Sequence, residues 1–165
     1  MYGNTDRHRW LIPLSLLAAF LWQACPISIE WQRVTPEAIL MVTIYWALRR
    51  PQQISAGSAF VIGLFYDSIG SGLLGQHALA MTLTIYVTQM FRQPLRMFAL
   101  WQQSAAIGLL TSIYLLINNW VYLLSGHSSS GIGFLLPALT NTACWPLLYP
   151  LLQRMERGKK QRKPA

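Results

Sequence analysis

The sequence predicts an all-α integral membrane protein, a bundle of six transmembrane helices with both termini in the cytoplasm. Of its 165 residues, 53% are hydrophobic and only 11% are charged, whereas soluble domains carry about 25% charged residues. The mean hydropathy is +0.34. The charged residues form short clusters between long apolar runs, which is typical of the loops that join membrane helices.

Six apolar runs are the predicted helices, and together they occupy most of the chain. A helix needs about 20 residues to cross a bilayer, so six helices leave room only for loops and tails. We therefore expect one membrane domain over residues 1–165, ending in a basic cytoplasmic tail at 153–165. The second and third runs are short for full spans, and polar flanks or a locally thinner bilayer would accommodate them. The predicted helices cover residues 10–27, 35–49, 53–69, 73–91, 98–124 and 132–152.

The basic residues predict the orientation of the bundle. Of the 13 lysines and arginines, all except Arg33 lie before the first predicted helix or after the second, fourth and sixth. The positive-inside rule then places both termini in the cytoplasm. The net charge of +8 therefore reflects topology and does not indicate nucleic-acid binding. The tail also suits contact with anionic lipid or with an acidic cytoplasmic partner; its basic residues are Arg154, Arg157, Lys159, Lys160, Arg162 and Lys163.

Aromatic residues cluster at the predicted helix ends, where amphipathic rings meet lipid headgroups. Those at the cytoplasmic boundary are Trp10, Trp46 and Trp101, and those at the outer boundary are Trp22, Trp120 and Tyr122. The pattern predicts two aromatic belts.

The second predicted helix begins with a capping pattern. Thr35 is a suitable N-cap, Pro36 fits the first helical position, and Glu37 complements the helix dipole. We expect Glu37 to stabilise the helix start; the alternative is an acid that binds a basic residue of a partner.

The third predicted helix carries Asp67, the only residue with a permanent charge between Arg50 and Arg92. Asp67 ends a stripe of small and polar residues at every fourth position, a pattern that allows close helix packing in membranes. A carboxylate facing hydrocarbon is costly, so Asp67 is expected to face protein. The stripe consists of Ser55, Ala59, Gly63 and Asp67.

A tight turn is predicted after Asp67, because the glycines there allow positive φ and close backbone approach. The residues predicted to form and pack this hairpin are Gly63, Gly70, Gly72 and Gly75. The turn brings a candidate polar cluster to one depth near the outer surface, consisting of Asp67, His77, Asn118 and Asn119. Three interpretations stay open: a hydrogen-bonded network that locks the helices, a binding surface open to the outside, and proton or ion transfer.

Catalytic residues, metal ligands and cofactors are not expected. An intramembrane aspartyl protease needs two membrane aspartates, and a rhomboid-like enzyme needs a Gly-x-Ser-Gly turn that Gly70-Ser71-Gly72 does not provide. The histidines are scattered along the chain, whereas metal sites need clustered ligands. The sequence also contains no phosphate-binding loop.

Several short motifs, in their order and spacing, resemble the MreD family of bacterial rod-shape-determining membrane proteins. The resemblance covers almost the whole chain. It rests on Pro36, Leu40 and Tyr45-Trp46-Ala47-Leu48; on Gly57, Phe60-Val61, Gly63, Asp67, Leu74-Gly75 and Ala78-Leu79; and on Leu100-Trp101-Gln102-Gln103 and Trp145-Pro146.

The resemblance implies a non-enzymatic subunit of the cell-elongation complex in the bacterial inner membrane, supporting lateral peptidoglycan synthesis and rod shape. The implied partners are MreC, a bitopic protein with a large periplasmic part, the filament protein MreB, the glycosyltransferase RodA and a class B penicillin-binding transpeptidase. The implied fold is that of the substrate-binding S components of energy-coupling-factor vitamin transporters. The second hypothesis is therefore a small-molecule-binding subunit of a vitamin-type transporter.

Overall fold

The computed structural model describes residues 10–25, 34–69, 73–126 and 131–157, and all regular elements within these ranges are helical. The α-helices are α1 (Leu11–Gln23), α2 (Ala38–Arg49), α3 (Ala56–Ile69), α4 (Gln76–Met90), α5 (Arg92–Met97), α6 (Leu100–Leu124) and α7 (Leu136–Arg157). A 3₁₀ helix, Gly131–Leu135, leads into α7.

Each predicted apolar segment overlaps one long helix, and α7 runs five residues past the predicted end at 152. Helix α5 is an additional element that the apolar pattern did not predict. Helix α5 follows α4 after Phe91 alone, and its Leu95 side chain is buried. Judged by length and hydropathy, α6 alone among the described helices is long and apolar enough to cross a membrane. Helices α1, α2 and α3 are apolar but have 13, 12 and 14 residues. Six membrane spans therefore remain a prediction.

The long helices pack as antiparallel hairpins, so polar side chains collect at two ends. At one end Asp67 of α3 meets His77 of α4, and at the other end Gln89 of α4 donates to the carbonyl of Ile54 before α3. We call these the Asp67 end and the arginine end; the latter carries the Arg49 and Arg50 side chains at the end of α2.

Helix α2 forms the centre of the bundle. All ten residues from Ile39 to Leu48 are buried, and α1, α4, α5 and α7 pack around them. Trp46 donates its indole N–H to Ser15 Oγ of α1 at 2.8 Å. Tyr45 packs edge-on against Tyr149 of α7 with ring centroids 5.6 Å apart. The sequence of α2 has no polar face, and a helix that is apolar all round is expected to be covered on all sides.

The outside of the bundle is lined by large apolar side chains. Trp10, Trp22, Trp101 and Trp120 are each more than half exposed, as residues of aromatic belts should be. Trp46 was expected in the cytoplasmic belt, and this prediction is wrong: only 2% of its surface is exposed. Its position near an arginine pair suggested a boundary, but its indole N–H has a partner within the core.

The start of α2 also differs from its prediction. Helix α2 begins at Ala38, and Glu37, not Thr35, occupies the N-cap position. The Glu37 side chain makes no cap hydrogen bond, and the Glu37 backbone N–H donates to Asn141 Oδ1 of α7 at 2.9 Å. This contact joins residues distant in sequence, and local sequence preferences do not reveal it.

Candidate functional site

Asp67 caps the helix that follows its own. Its Oδ2 accepts the backbone N–H groups of Gly75 at 2.8 Å and Ala78 at 3.2 Å, and its Oδ1 accepts that of His77 at 3.1 Å. Gly75 is the N-cap residue of α4 and has no side chain to cap the helix. The carboxylate of α3 therefore satisfies the first turn of α4 and complements its helix dipole.

Gly75 makes this arrangement possible because its φ is 94°, in the left-handed region that glycine adopts without strain. Gly63 makes it possible from the opposite side of the interface. A Cβ at Gly63 would lie 2.7 Å from Ala78 N and 2.9 Å from His77 O, so the two backbones pack directly. Gly70 and Gly72 lie outside the described residues.

The His77 ring makes the fourth hydrogen-bond contact to the Asp67 carboxylate. Its Nδ1 lies 2.7 Å from Asp67 Oδ1, and the Asp67 side chain is fully buried while 26% of the His77 side chain is exposed. This contact makes Nδ1 the protonated nitrogen in neutral His77 and leaves Nε2 as an acceptor. The ring of Tyr66 packs edge-on against His77 with centroids 4.5 Å apart.

A second polar group lies at the same end, around Glu37. Gln23 at the end of α1 donates its Nε2 to Glu37 Oε2 at 3.1 Å. The side chain of Asn141 accepts the Glu37 backbone N–H at Oδ1 and donates its Nδ2 to Thr111 Oγ1 at 3.0 Å. Four helices, α1, α2, α6 and α7, are therefore joined by side-chain amides. Sequence reasoning assigned Glu37 a local role; its link to Gln23 depends on the pairing of α1 with α2.

Asn118 faces the residues around Glu37 and Asp67 at this end, whereas Asn119 faces another flank of α6. Asn118 is buried, and its side-chain Nδ2 donates to the backbone carbonyl of Tyr114. The backbone carbonyl of Asn118 accepts a hydrogen bond from Gln76 Nε2 at 3.1 Å. Asn119 instead lines a cavity of about 300 Å³ on another flank of α6, with Leu116, Ile117, Trp120 and Leu123. Consecutive helical residues point about 100° apart, which separates the two amides.

For the residues that meet at this end, we use the name Asp67-end cluster: Gln23, Glu37, Tyr66, Asp67, Gln76, His77, Tyr114, Asn118 and Asn141. The cluster contains hydrogen-bonded carboxylates and amides, and no lysine or arginine of the described ranges belongs to it. Within those ranges, no three His, Cys, Asp or Glu residues gather as metal ligands would.

The arginine end is organised by Glu156. Its Oε2 accepts the Arg49 Nε at 3.0 Å and Nη2 at 2.5 Å, and its Oε1 lies 3.5 Å from Arg50 Nη2. Tyr45 adds its hydroxyl at 3.3 Å. These contacts attach the last turn of α7 to the end of α2. Of the predicted basic tail, Arg154 is exposed and Arg157 ends α7, while Lys159, Lys160, Arg162 and Lys163 lie outside the described residues.

We expect the Glu156 cluster to make stability depend on pH in the acid range. Burial raises the pKa of the Glu156 carboxyl, but the hydrogen bonds and charges of Arg49 and Arg50 lower the pKa below its ordinary value. Such a carboxyl stabilises the fold above its unfolded pKa, and this stabilisation is lost as pH falls through the folded pKa. Below about pH 4, therefore, the unfolding temperature of the wild type should fall more steeply than that of Glu156→Gln. Parallel curves for the two proteins in detergent would contradict the assignment.

Comparison with known proteins covers most of the chain. The profile of the family described as rod shape-determining protein MreD matches residues 5–155. The Rod shape-determining protein MreD of Haemophilus influenzae is 29% identical over 153 residues, covering 92% of this chain and 94% of that protein. No solved structure matches the chain.

Proposed function

Because the chain belongs to the MreD family of rod shape-determining proteins, we propose that it is a non-enzymatic, multi-pass subunit of the cell-elongation machinery in the bacterial inner membrane. The match over residues 5–155 carries this proposal, since it covers six of the seven described α-helices completely and all but the last two residues of α7. The subunit supports lateral peptidoglycan synthesis by binding other proteins of the machinery.

The distribution of polar and apolar side chains supports placement in a membrane. Large apolar residues are exposed around the helices, while the described arginines and acids lie at the two ends. In this topology the arginine end is cytoplasmic and the Asp67 end is periplasmic, in agreement with the positive-inside rule. Helix α2 is only about 18 Å long at 1.5 Å per residue. Its enclosure by other helices allows it to be shorter than the hydrocarbon layer.

The polar residues fit a binding role better than a catalytic one. Asp67 is occupied by three backbone N–H groups and by His77, so its carboxylate is committed to holding α3 against α4. Glu156 is similarly occupied by two arginines. The proposed partners are an MreC-like bitopic periplasmic protein, MreB, RodA and a class B penicillin-binding transpeptidase, with membrane lipids around the basic tail.

The vitamin-transporter hypothesis needs an apolar pocket in which several polar groups converge. The cavity beside α6 is lined by four apolar side chains and one polar side chain, Asn119. This lining fits a lipid-facing groove better than a site for a vitamin.

Depletion of the protein in its rod-shaped host is expected to produce spherical cells, and wild-type protein supplied from a plasmid should restore rods. Cell width and length measured by microscopy test this expectation. Purification of the protein in mild detergent, from cells that also produce a tagged bitopic partner, should recover that partner as well. Unchanged cell shape after complete depletion would contradict the proposed function, and recovery of a transporter ATPase pair in place of the bitopic protein would favour the second hypothesis.

A further inference from the structure

The short connection from α4 to α6 is attached to the bundle at two points of α5. Arg92 Nε, at the start of α5, donates to the carbonyl of Leu48 in the last turn of α2 at 3.0 Å. Gln103 Nε2 of α6 donates to the carbonyl of Leu95 at 3.0 Å, and the Leu95 side chain is itself buried. These contacts give α5 a fixed orientation, although it has only six residues.

The side of α5 that faces away from the bundle is apolar and carries one positive charge. Leu95 and Met97 are two positions apart, so they point about 200° apart around the helix, and Met97 is 87% exposed. Arg96 lies between them and is exposed as well. Phe98 and Trp101 follow in the turn and at the start of α6, and both are exposed. We use the name α5 surface for Arg96, Met97, Phe98 and Trp101.

The α5 surface continues the apolar outside of α6. Trp101, Ala105 and Leu109 recur at every fourth position, so they share one face of α6, and all three are exposed. In the proposed membrane placement, hydrocarbon covers this face, and Trp101 ends it at the level where aromatic rings meet headgroups. Met97 then lies at the boundary between acyl chains and headgroups, with Arg96 beside it at headgroup level.

Arg96 pairs with no carboxylate of the described ranges. The sequence has no acidic residue between Asp67 and Glu156. Asp67 lies at the opposite end of the bundle, and Glu156 is already bound by Arg49 and Arg50. A guanidinium presents parallel N–H donors that fit a phosphate group. A basic side chain next to exposed apolar ones is typical of segments that bind the surface of anionic membranes.

We propose that the α5 surface binds an anionic phospholipid, such as phosphatidylglycerol, at the cytoplasmic face of the membrane. Arg96 pairs with the headgroup phosphate, while Met97 and Phe98 contact the upper part of the acyl chains. Phosphatidylethanolamine binds less well, because its ammonium group compensates the phosphate charge and repels the guanidinium. The inference rests on the membrane placement within the proposed function and is independent of the partners in cell elongation.

Brominated lipids test this surface, because bromine quenches the fluorescence of a tryptophan only at close contact. The intact chain is reconstituted in vesicles of phosphatidylethanolamine and phosphatidylglycerol, with one lipid or the other brominated. The difference between wild type and Trp101→Phe gives the signal of Trp101. Its quenching should show a preference of about fivefold for phosphatidylglycerol, the factor expected of one basic residue near a charged surface. Added salt should weaken this preference.

Charge variants show whether Arg96 causes the preference. Arg96→Gln should abolish it, whereas Arg96→Lys should keep most of it because the charge remains. Arg154→Gln is the matched control, since Arg154 is an exposed arginine at the same end of the bundle but on α7. This control should keep the preference of Trp101 for phosphatidylglycerol. All three variants should unfold at the wild-type temperature, because both arginines are exposed.

Equal quenching of Trp101 by the two brominated lipids in wild type would overturn the inference, and so would equal effects of Arg96→Gln and Arg154→Gln. A photoreactive amino acid in place of Met97 gives a second test in living cells. It should attach covalently to phospholipid, and attachment to a cytoplasmic protein instead would overturn the inference. If neither lipid quenches any tryptophan, the membrane placement fails too. Unchanged cell shape after depletion would contradict the role in elongation and leave the lipid result standing.

Discussion

Replacing Gly63 with alanine is expected to destabilise the protein by about 2 kcal/mol, whereas Gly57→Ala should be neutral or slightly stabilising. The Cβ at position 63 would meet the backbone of Ala78 and His77, which no change of side-chain rotamer can relieve. At Gly57, on the exposed side of the same helix, the nearest atom is Ser55 Oγ at 3.8 Å. Both changes add one methyl group to α3, so their difference measures the contact with α4 alone.

Gly63→Leu should go further and prevent α3 from packing on α4. We expect this variant to fail to restore rods in depleted cells, while Gly57→Leu restores them. Unfolding of the alanine pair in detergent, followed by tryptophan fluorescence, gives the energetic difference. Equal destabilisation at positions 57 and 63 would contradict the direct packing of α3 on α4.

Asp67→Leu is expected to cost about 4 kcal/mol, because it leaves three backbone N–H groups and the His77 ring without their acceptor. Asp67→Asn should cost about 2 kcal/mol. Each carboxylate oxygen accepts two donors, so asparagine keeps the two contacts of one oxygen and turns its NH₂ group toward the other donors. Asparagine is therefore expected to destabilise the hairpin, although less than leucine does.

Both Asp67 variants are compared with Ser68→Ala, because Ser68 is exposed on the next position of α3 and bonds only to its own helix at Leu64. The loss in the free energy of unfolding should increase from Ser68→Ala through Asp67→Asn to Asp67→Leu. If asparagine and leucine abolish stability equally, the negative charge itself, and not the number of hydrogen bonds, holds the hairpin together.

The fold was predictable wherever one local pattern determines it. The stripe in α3 placed Ala59, Gly63 and Asp67 on one face, and the structure buries all three, while Ser55 lies exposed before the helix. The glycine-rich turn likewise predicted that Asp67 and His77 lie at one depth, and in the structure His77 Nδ1 lies 2.7 Å from Asp67 Oδ1. Asp67 and His77 are only ten residues apart on one hairpin, so the sequence closely restricts how their side chains can be placed.

Contacts between distant segments were not predictable in the same way. The separation of Asn118 from Asn119 depends on how α6 is rotated against its neighbours, and apolar periodicity is weak in a helix whose outer face is also apolar. The contact of Glu37 with Asn141 joins residues over a hundred positions apart. Trp46 shows the same limit, since a core tryptophan and a belt tryptophan look alike in sequence.

The burial of α2 on all sides has a consequence for biogenesis. Most membrane helices can wait in lipid until their neighbours arrive, because their outward faces are apolar and their length matches the bilayer. Helix α2 has 12 residues, too few to match the hydrocarbon layer on its own. In the proposed multi-pass topology, α2 reaches its final surroundings only after α4 and α7 have been made, because both pack against it. The ribosome has by then synthesised most of the chain.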